Sequence, residues 1–261
     1  MLRISKLKKS FNIGTENEIN IFKDFSLTIK KGETTAILGY NGCGKSTLFN
    51  IICGVLDCEN GNISIETSKG DIPFDRLKEH ERSNYIARVH QNPSMGVSPS
   101  LTILENMALA DKKSSTFGLK KLVNKEKIQT YKDILNSLDL GLENKLNTPV
   151  KFLSGGQRQS LSLIMATMKK PELLLLDEHT AALDPKTSKV VMEKTMELVK
   201  KNSITTLMIS HNLRDAIKFS DRIIMLRQGE ISLDIPSESI SEKELIKIYT
   251  NEALDELSFT A

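Results

Sequence analysis

The stretch Gly39-Tyr40-Asn41-Gly42-Cys43-Gly44-Lys45-Ser46-Thr47 constrains this chain more than any other. It fits G-x-x-x-x-G-K-[ST], in which glycines let the backbone wrap closely around phosphate with no Cβ in the way. The segment before it, Thr34-Thr35-Ala36-Ile37-Leu38, is short, apolar and β-branched, as a buried parallel strand should be. After it, Leu48, Ile51, Ile52 and Val55 fall at i, i+3, i+4 and i+7, one face of a helix, and Gly54 lies where that helix could end. Strand, glycine loop and helix N-terminus in that order make an anion site from unpaired N–H groups and the helix dipole. Lys45 would then reach the β- and γ-phosphates of a nucleotide, and Ser46 would give its hydroxyl to Mg²⁺. At average glycine usage the pattern arises by accident in roughly one chain of this length in a hundred. The flanking strand and helix weaken the chance reading further.

With 261 residues the chain can form one large domain or two lobes around a sizeable core. Lys and Arg number 36 against 33 acidic residues, and the net charge of +3 is too small and dispersed for a nucleic-acid surface. Basic patches such as Lys6 to Lys9 read as solvated faces. Cys43, Cys53 and Cys58 are odd in number and lack a C-x-x-C spacing, so a disulfide framework is not expected and a reducing cytoplasm is the simplest compartment. The start Met1-Leu2-Arg3-Ile4-Ser5-Lys6 has no apolar leader segment, and no run approaches the eighteen or so apolar residues of a membrane span. Any membrane role is expected to come through a partner.

Residues 2 to 30 read as strands broken by a polar tip around Gly14 to Asn20, with Phe25, Leu27 and Ile29 alternating. Phe11, just before the tip, is either a core aromatic or a ring for stacking on a base. Ile63 and Ile65 mark another strand, and Tyr85 to Val89 leads through His90 to Gln91. Asn92 to Pro99 is rich in chain breakers, Thr102 and Glu105 have capping-box spacing for a helix through Ala110, and Ile128, Tyr131, Leu135 and Leu138 give a second helix ending near Gly141. A helical insertion at about 92–150 is therefore expected.

Leu153-Ser154-Gly155-Gly156-Gln157 is a second glycine turn, ahead of a helix with Leu161, Ile164, Met165 and Met168 on one face and Pro171 closing it. Leu173 to Leu176 then runs into Asp177-Glu178, so a buried strand delivers two carboxylates at its carboxyl end, the ligand edge of an open α/β sheet. One can hold Mg²⁺ and the next can accept a proton from attacking water, although a surface Asp-Glu turn would read the same way. Asp184-Pro185 is a natural helix start, with Val190, Val191, Leu198 and Val199 on the buried face. Thr205 to Ile209 is an apolar strand ending in Ser210-His211, where the histidine is structural or senses phosphate. Ile223 to Leu226 and Ile231 to Leu233 read as a terminal hairpin, followed by a polar tail with one helix near Glu242 to Tyr249.

Together these motifs resemble the ATP-binding cassette (ABC) ATPases, from about residue 2 to 235. The resemblance implies an α/β P-loop NTPase (RecA-like) core at 1–91 and 151–235, with an antiparallel β subdomain, an inserted α-helical subdomain at about 92–150 and a tail at 236–261. It makes Gly39, Asn41, Gly42, Cys43, Gly44, Lys45, Ser46 and Thr47 the ATP-binding loop, and Phe11 the aromatic that stacks on adenine. Gln91 looks like the glutamine that touches Mg²⁺ and attacking water, Asp177 like the Mg²⁺ aspartate, Glu178 like the catalytic base and His211 like the γ-phosphate switch. Asp184 resembles the family's D-loop aspartate and counts with the nucleotide-binding residues. Two such cassettes pack head to tail, so Ser154, Gly155, Gly156 and Gln157 of one copy would close over ATP on the other. A homodimer is the economical expectation.

The chain departs from the family at His179, where proline is usual, and at Ala182, where serine is common. The run Asp177 to Asp184, with Ser98-Pro99-Ser100, is similar to one branch of bacterial importer cassettes. The resemblance implies a transmembrane permease and, indirectly, an extracytoplasmic substrate-binding protein as partners, no nucleic acid, a place at the cytoplasmic face of the membrane, and an amino acid as possible substrate. The Pro93 to Pro99 loop is the candidate for permease contact. An exporter cassette, or a soluble ABC ATPase acting on DNA or ribosomes, stays open as an alternative. A kinase or GTPase leaves Leu153 to Gln157 unexplained and lacks an N-K-x-D guanine reader.

Overall fold

The computed structural model describes residues 1–68, 70–112 and 122–259, with 252–259 as backbone alone. Part of the expected 92–150 insertion and the end of the tail lie outside the described residues. In chain order the strands are β1 (Leu2–Phe11), β2 (Ile19–Ile29), β3 (Thr34–Leu38), β4 (Asn60–Thr67), β5 (Gly70–Pro73), β6 (Ile86–Val89), β7 (Leu173–Asp177), β8 (Thr205–Ile209), β9 (Arg222–Arg227) and β10 (Glu230–Pro236). The α-helices are α1 (Lys45–Cys53), α2 (Glu79–Arg82), α3 (Ile103–Asp111), α4 (Ile128–Asn136), α5 (Gly155–Thr167), α6 (Pro185–Asn202), α7 (Leu213–Phe219) and α8 (Glu242–Phe259). The chain divides into two compact units, one of Met1–Ser83 with the chain from Ser203 onward, the other Asn84–Asn202.

In the first unit an antiparallel sheet has the order β2-β1-β4-β5. Alternation along β1 buries Leu2 and Ile4, which pair with Ile29 and Leu27 on one side and with Ile65 and Ile63 on the other. β3 lies between β8 and β9 and runs parallel to both, and β10 pairs antiparallel with β9. Every residue of β3 and β8 is buried, the pattern of a parallel strand covered on both faces.

Gly54, in the left-handed region at φ 82, ends α1 by donating its N–H to Asn50 and Ile51 carbonyls. Arg82 completes that cap, with Nη1 2.7 Å from the Ile51 oxygen and 3.2 Å from the Ile52 oxygen. Val55, expected on the buried face of α1, lies beyond this stop and is 53% exposed. The terminal hairpin turns through Gln228 and Gly229, both at positive φ. The tail helix, expected over 242–249, extends to Phe259; Leu245 is fully buried and Glu242 pairs with Arg214 Nε of α7 at 2.6 Å.

In the second unit β6 and β7 pair in parallel, Val89 opposite Leu176. Ile103, Met107, Tyr131, Leu135, Leu161 and Ile164 form the centre of a helical core. The capping box of α3 forms as its spacing predicts: the Thr102 hydroxyl accepts from the Glu105 N–H, and Glu105 accepts from the Thr102 N–H. α4 ends at Asn136, and Leu138 packs from the following turn before Gly141 at φ 68. Val190 is 38% exposed whereas Val191 and Val199 are buried: the buried face of α6 runs through Val191, Met192, Thr195, Met196 and Val199, and Val190 lies about 100° back from Val191, at its edge.

A Cβ at Gly229 would lie 1.6 Å from the Ile21 carbonyl oxygen, whereas one at Gly14, at φ 75, would meet nothing. Urea unfolding is expected to show Gly229→Ala destabilised by about 3 kcal/mol or more, against about 1 kcal/mol for Gly14→Ala from its backbone alone.

Candidate nucleotide-binding and catalytic site

The first unit carries the glycine loop Gly39 to Thr47. Gly39 leaves β3 at φ 141, and a Cβ there would sit 2.4 Å from the Leu226 carbonyl oxygen and 2.7 Å from Cys43 Sγ. Gly44, at φ 109, precedes α1 and lies against Phe22, 2.9 Å from where its Cβ would be. Neither place admits a side chain, so the loop's path requires both glycines. Lys45 is only 6% exposed, and its Nζ donates to the Gly39 carbonyl at 2.5 Å and the Tyr40 carbonyl at 2.8 Å. Asn41, Gly42 and Ser46 are exposed and Thr47 is half-buried. The Cys43 thiol is buried, 3.7 Å from Lys45 Nζ, so any contribution of Cys43 to phosphate would come from its main chain.

β8 is a direct neighbour of β3, with Ile37 opposite Ile209, and the Ser210 N–H donates to the Ile37 carbonyl at 3.4 Å. His211 follows, exposed, just ahead of Asn212, whose side chain caps α7. The loop and His211 therefore leave the same ends of adjacent strands. Phe11 ends β1, half-buried, with the Lys9 ammonium 5.1 Å from its ring centre on one face.

The second unit carries the carboxylates. Gln91, exposed, follows β6, and Asp177-Glu178 ends its partner β7, so these three share one edge of the strand pair. Arg88, on β6, reaches Asp177 Oδ2 with Nη2 at 2.5 Å, both side chains largely buried. Burial, followed by the Arg88 charge, holds His90 below the usual imidazole range. Glu178 has φ 47, a left-handed backbone that costs a non-glycine residue about 1 kcal/mol or more. The next residue, His179, is 1% exposed, with Nε2 3.2 Å from Thr195 Oγ1. That hydroxyl already donates to the Val191 carbonyl at 2.7 Å, so the imidazole must be the donor and Nε2 carries the proton.

Ser154 caps α5 reciprocally with Gln157: its Oγ accepts the Gln157 N–H at 3.2 Å, and its own N–H donates to Gln157 Oε1 at 3.3 Å. Gly156 is required by packing as well, since a Cβ there would sit 2.3 Å from Thr187 Cγ2 on α6. Gly155 faces Leu183, which places Asp184 beside this turn. The Thr187 side chain and its N–H, 3.1 Å from Asp184 Oδ1, hold the Asp184 carboxyl below its ordinary range.

Ser46 in the first unit offers a hydroxyl, and Gln91 and Asp177 in the second an amide and a carboxylate; each is a hard oxygen donor of the kind Mg²⁺ takes. Among the described residues no group of three or more His, Cys, Asp or Glu could hold a metal ion. Sequence reasoning missed Arg88, because only the pairing of β6 with β7 brings it to Asp177 across 89 positions.

Burial pushes His179 down to about 4. Unfolding restores an ordinary value near 6.5, so the stabilising contribution is complete above pH 6.5 and is lost as pH falls toward 4. Between pH 7 and pH 5 this amounts to about 2 kcal/mol. Urea midpoints of His179→Leu should therefore fall less over that interval than those of the wild type, and equal slopes would refute a buried neutral imidazole.

Residues 22–181 match the family described as ABC transporter. A tyrosine transport ATP-binding protein of Clostridioides difficile (strain R20291) is 42% identical over 259 residues, 99% of each chain. A spermidine/putrescine import ATP-binding protein of Mannheimia succiniciproducens is 34% identical over 93% of this chain and 60% of that one. Among solved structures, the dimeric post-hydrolysis state of the ATP-binding cassette MJ0796 bound to ADP and Pi matches with a TM-score of 0.74 at 29% identity, covering 91% of this chain and 99% of that chain. The fold is thus the mixed α/β P-loop NTPase fold of these cassettes. With a relative matched from end to end and structural neighbours that are ATP-binding cassettes, the chain belongs to the ABC transporter family, as an ATP-binding and ATP-hydrolysing subunit.

Proposed function

We propose that this chain drives a bacterial importer, with a separate permease carrying the substrate through the membrane. Residues 1–91 and 151–235 form the nucleotide-binding core, about 92–150 the helical subdomain, and 236–261 the tail. Gly39 to Thr47 holds the triphosphate, Lys45 moving from the Gly39 and Tyr40 carbonyls to the β- and γ-phosphates, and Phe11 stacks on adenine. Ser46, Asp177 and Gln91 would hold Mg²⁺, which would supply charge neutralisation at the phosphates. Glu178 accepts the proton of the attacking water and His211 contacts the γ-phosphate.

One observation carries the hydrolytic assignment: Glu178 sits at a buried strand's carboxyl end, its backbone held at φ 47 between two anchored neighbours. Such locally strained positions concentrate at reacting groups. In a homodimer Ser154 to Gln157 of one copy closes over the nucleotide of the other, a reading favoured by the dimeric state of MJ0796. Among the described residues no helix is long and apolar enough to cross a membrane; a membrane partner, at the cytoplasmic face, is favoured by the names of the relatives as transport ATP-binding proteins. The loop around Met95, which is 67% exposed, is its docking candidate. Import is favoured by the names of the relatives, and the tyrosine transport protein makes an aromatic amino acid the substrate class to try first. A substrate-binding protein outside the membrane then delivers it.

Tagged protein purified from membranes is expected to bring a permease, and Glu178→Gln in that complex should lose about 10²- to 10⁴-fold in ATPase rate. Uptake of labelled tyrosine should fall when the gene is deleted. A near-normal rate in Glu178→Gln overturns the base assignment; capture of ribosomes or DNA in place of a permease overturns the transport reading and leaves the nucleotide chemistry.

A further inference from the structure

We propose that helix α8 acts on the phosphate loop through Tyr40 and Tyr249, with Tyr249 as a positioning residue for nucleotide binding. The inference rests on the reading of Gly39 to Thr47 as the nucleotide loop. Tyr40 follows Gly39 directly, and its side chain leaves the loop for α8. The Tyr40 and Tyr249 rings lie 4.4 Å apart between centroids, tilted by 30°, and the Tyr40 hydroxyl donates to the Tyr249 carbonyl at 2.6 Å. The main chain of the same residue faces Lys45: the Tyr40 carbonyl accepts the ammonium at 2.8 Å and the Cys43 N–H at 3.4 Å. Tyr40 is thus gripped at its side chain by the tail helix and at its carbonyl by the lysine.

α8 can transmit this grip because it is itself fixed. Leu245 is fully buried, and Glu242 pairs with Arg214 on α7, which begins at Leu213, just after His211. The helix therefore touches both the phosphate loop and the helix that follows the switch histidine. Its value to binding is conformational. A loop with glycines at φ 141, 88 and 109 has wide freedom, and ordering it around phosphate costs entropy. A tether at residue 40 removes part of that freedom before ATP arrives.

The test uses the full chain and a fluorescent ATP analogue in magnesium buffer. Tyr249→Ala should raise Kd about three- to tenfold, the range of a lost aromatic pair, since the carbonyl that accepts from Tyr40 belongs to the main chain and stays. KM for ATP should rise alike, while kcat stays within about twofold because the chemical groups are untouched. Tyr249→Phe keeps the ring and the carbonyl and should restore the affinity. In a Tyr40→Ala background, Tyr249→Ala should have no further effect, whereas additive losses overturn the tether. An unchanged Kd with a lowered melting temperature also overturns it, leaving the contact purely structural. Should Tyr249→Ala fail to fold, Tyr40→Phe decides alone: weaker binding sustains the proposal and unchanged binding overturns it. Lys45→Ala separates the two readings. If it leaves Kd unaltered the nucleotide loop itself is misassigned; if it abolishes binding while Tyr249→Ala does nothing, only the tether fails.

Discussion

A buried ammonium must be paired, and Lys45 meets that requirement with two carbonyl oxygens of its own loop. Much of the first unit follows from this one constraint. The carbonyls of Gly39 and Tyr40 can turn toward Lys45 only if the chain leaves β3 through a residue without a Cβ, since the Leu226 carbonyl stands where that atom would go. The crowding at Gly39 in turn depends on β9 lying directly beside β3. Loop geometry, strand order and the placement of one charge are therefore a single arrangement. On the proposed function, a triphosphate entering it would compete with carbonyl dipoles for the lysine, an exchange of partners that avoids exposing a bare charge.

A comparable logic governs the Asp177-Glu178-His179 turn. Asp177 is fixed by Arg88, His179 by burial and by Thr195, and between them Glu178 adopts a backbone it would not choose alone. Histidine in place of the family's proline is consistent with this. Proline restrains φ through its ring, whereas His179 restrains its position through a hydrogen bond to α6. The carboxylate proposed as the base is thus held from both sides by residues that do not react.

What could be read in the sequence was what is local. The strand, glycine loop and helix around residue 45, the Thr102/Glu105 cap, the turn into a helix at Ser154 to Gln157 and the β9–β10 hairpin are written in neighbouring residues, and the structure forms each of them. Helical periodicity misled where it was continued past a boundary: Val55 lies beyond Gly54, and Val190 lies at the edge of the buried face that holds Val191. The contacts missed altogether join residues far apart in the chain. Arg88 meets Asp177 across 89 positions and Tyr40 meets Tyr249 across 209, distances at which no spacing rule operates. The tail, which as a sequence reads only as polar with one helix, contains the second of those partners.

The cap that Arg82 places on α1 has a consequence for the opposite end of that helix. The last carbonyls of α1 carry the negative pole of its dipole, and the guanidinium rests on two of them. It neutralises that pole at its source, so the positive pole around Gly44 and Lys45 faces less opposition along the short helix. α1 is in effect an electrical element with one terminal earthed. The potential at the Gly44 end of α1 therefore depends on residue 82, which reaches the helix only at its other end.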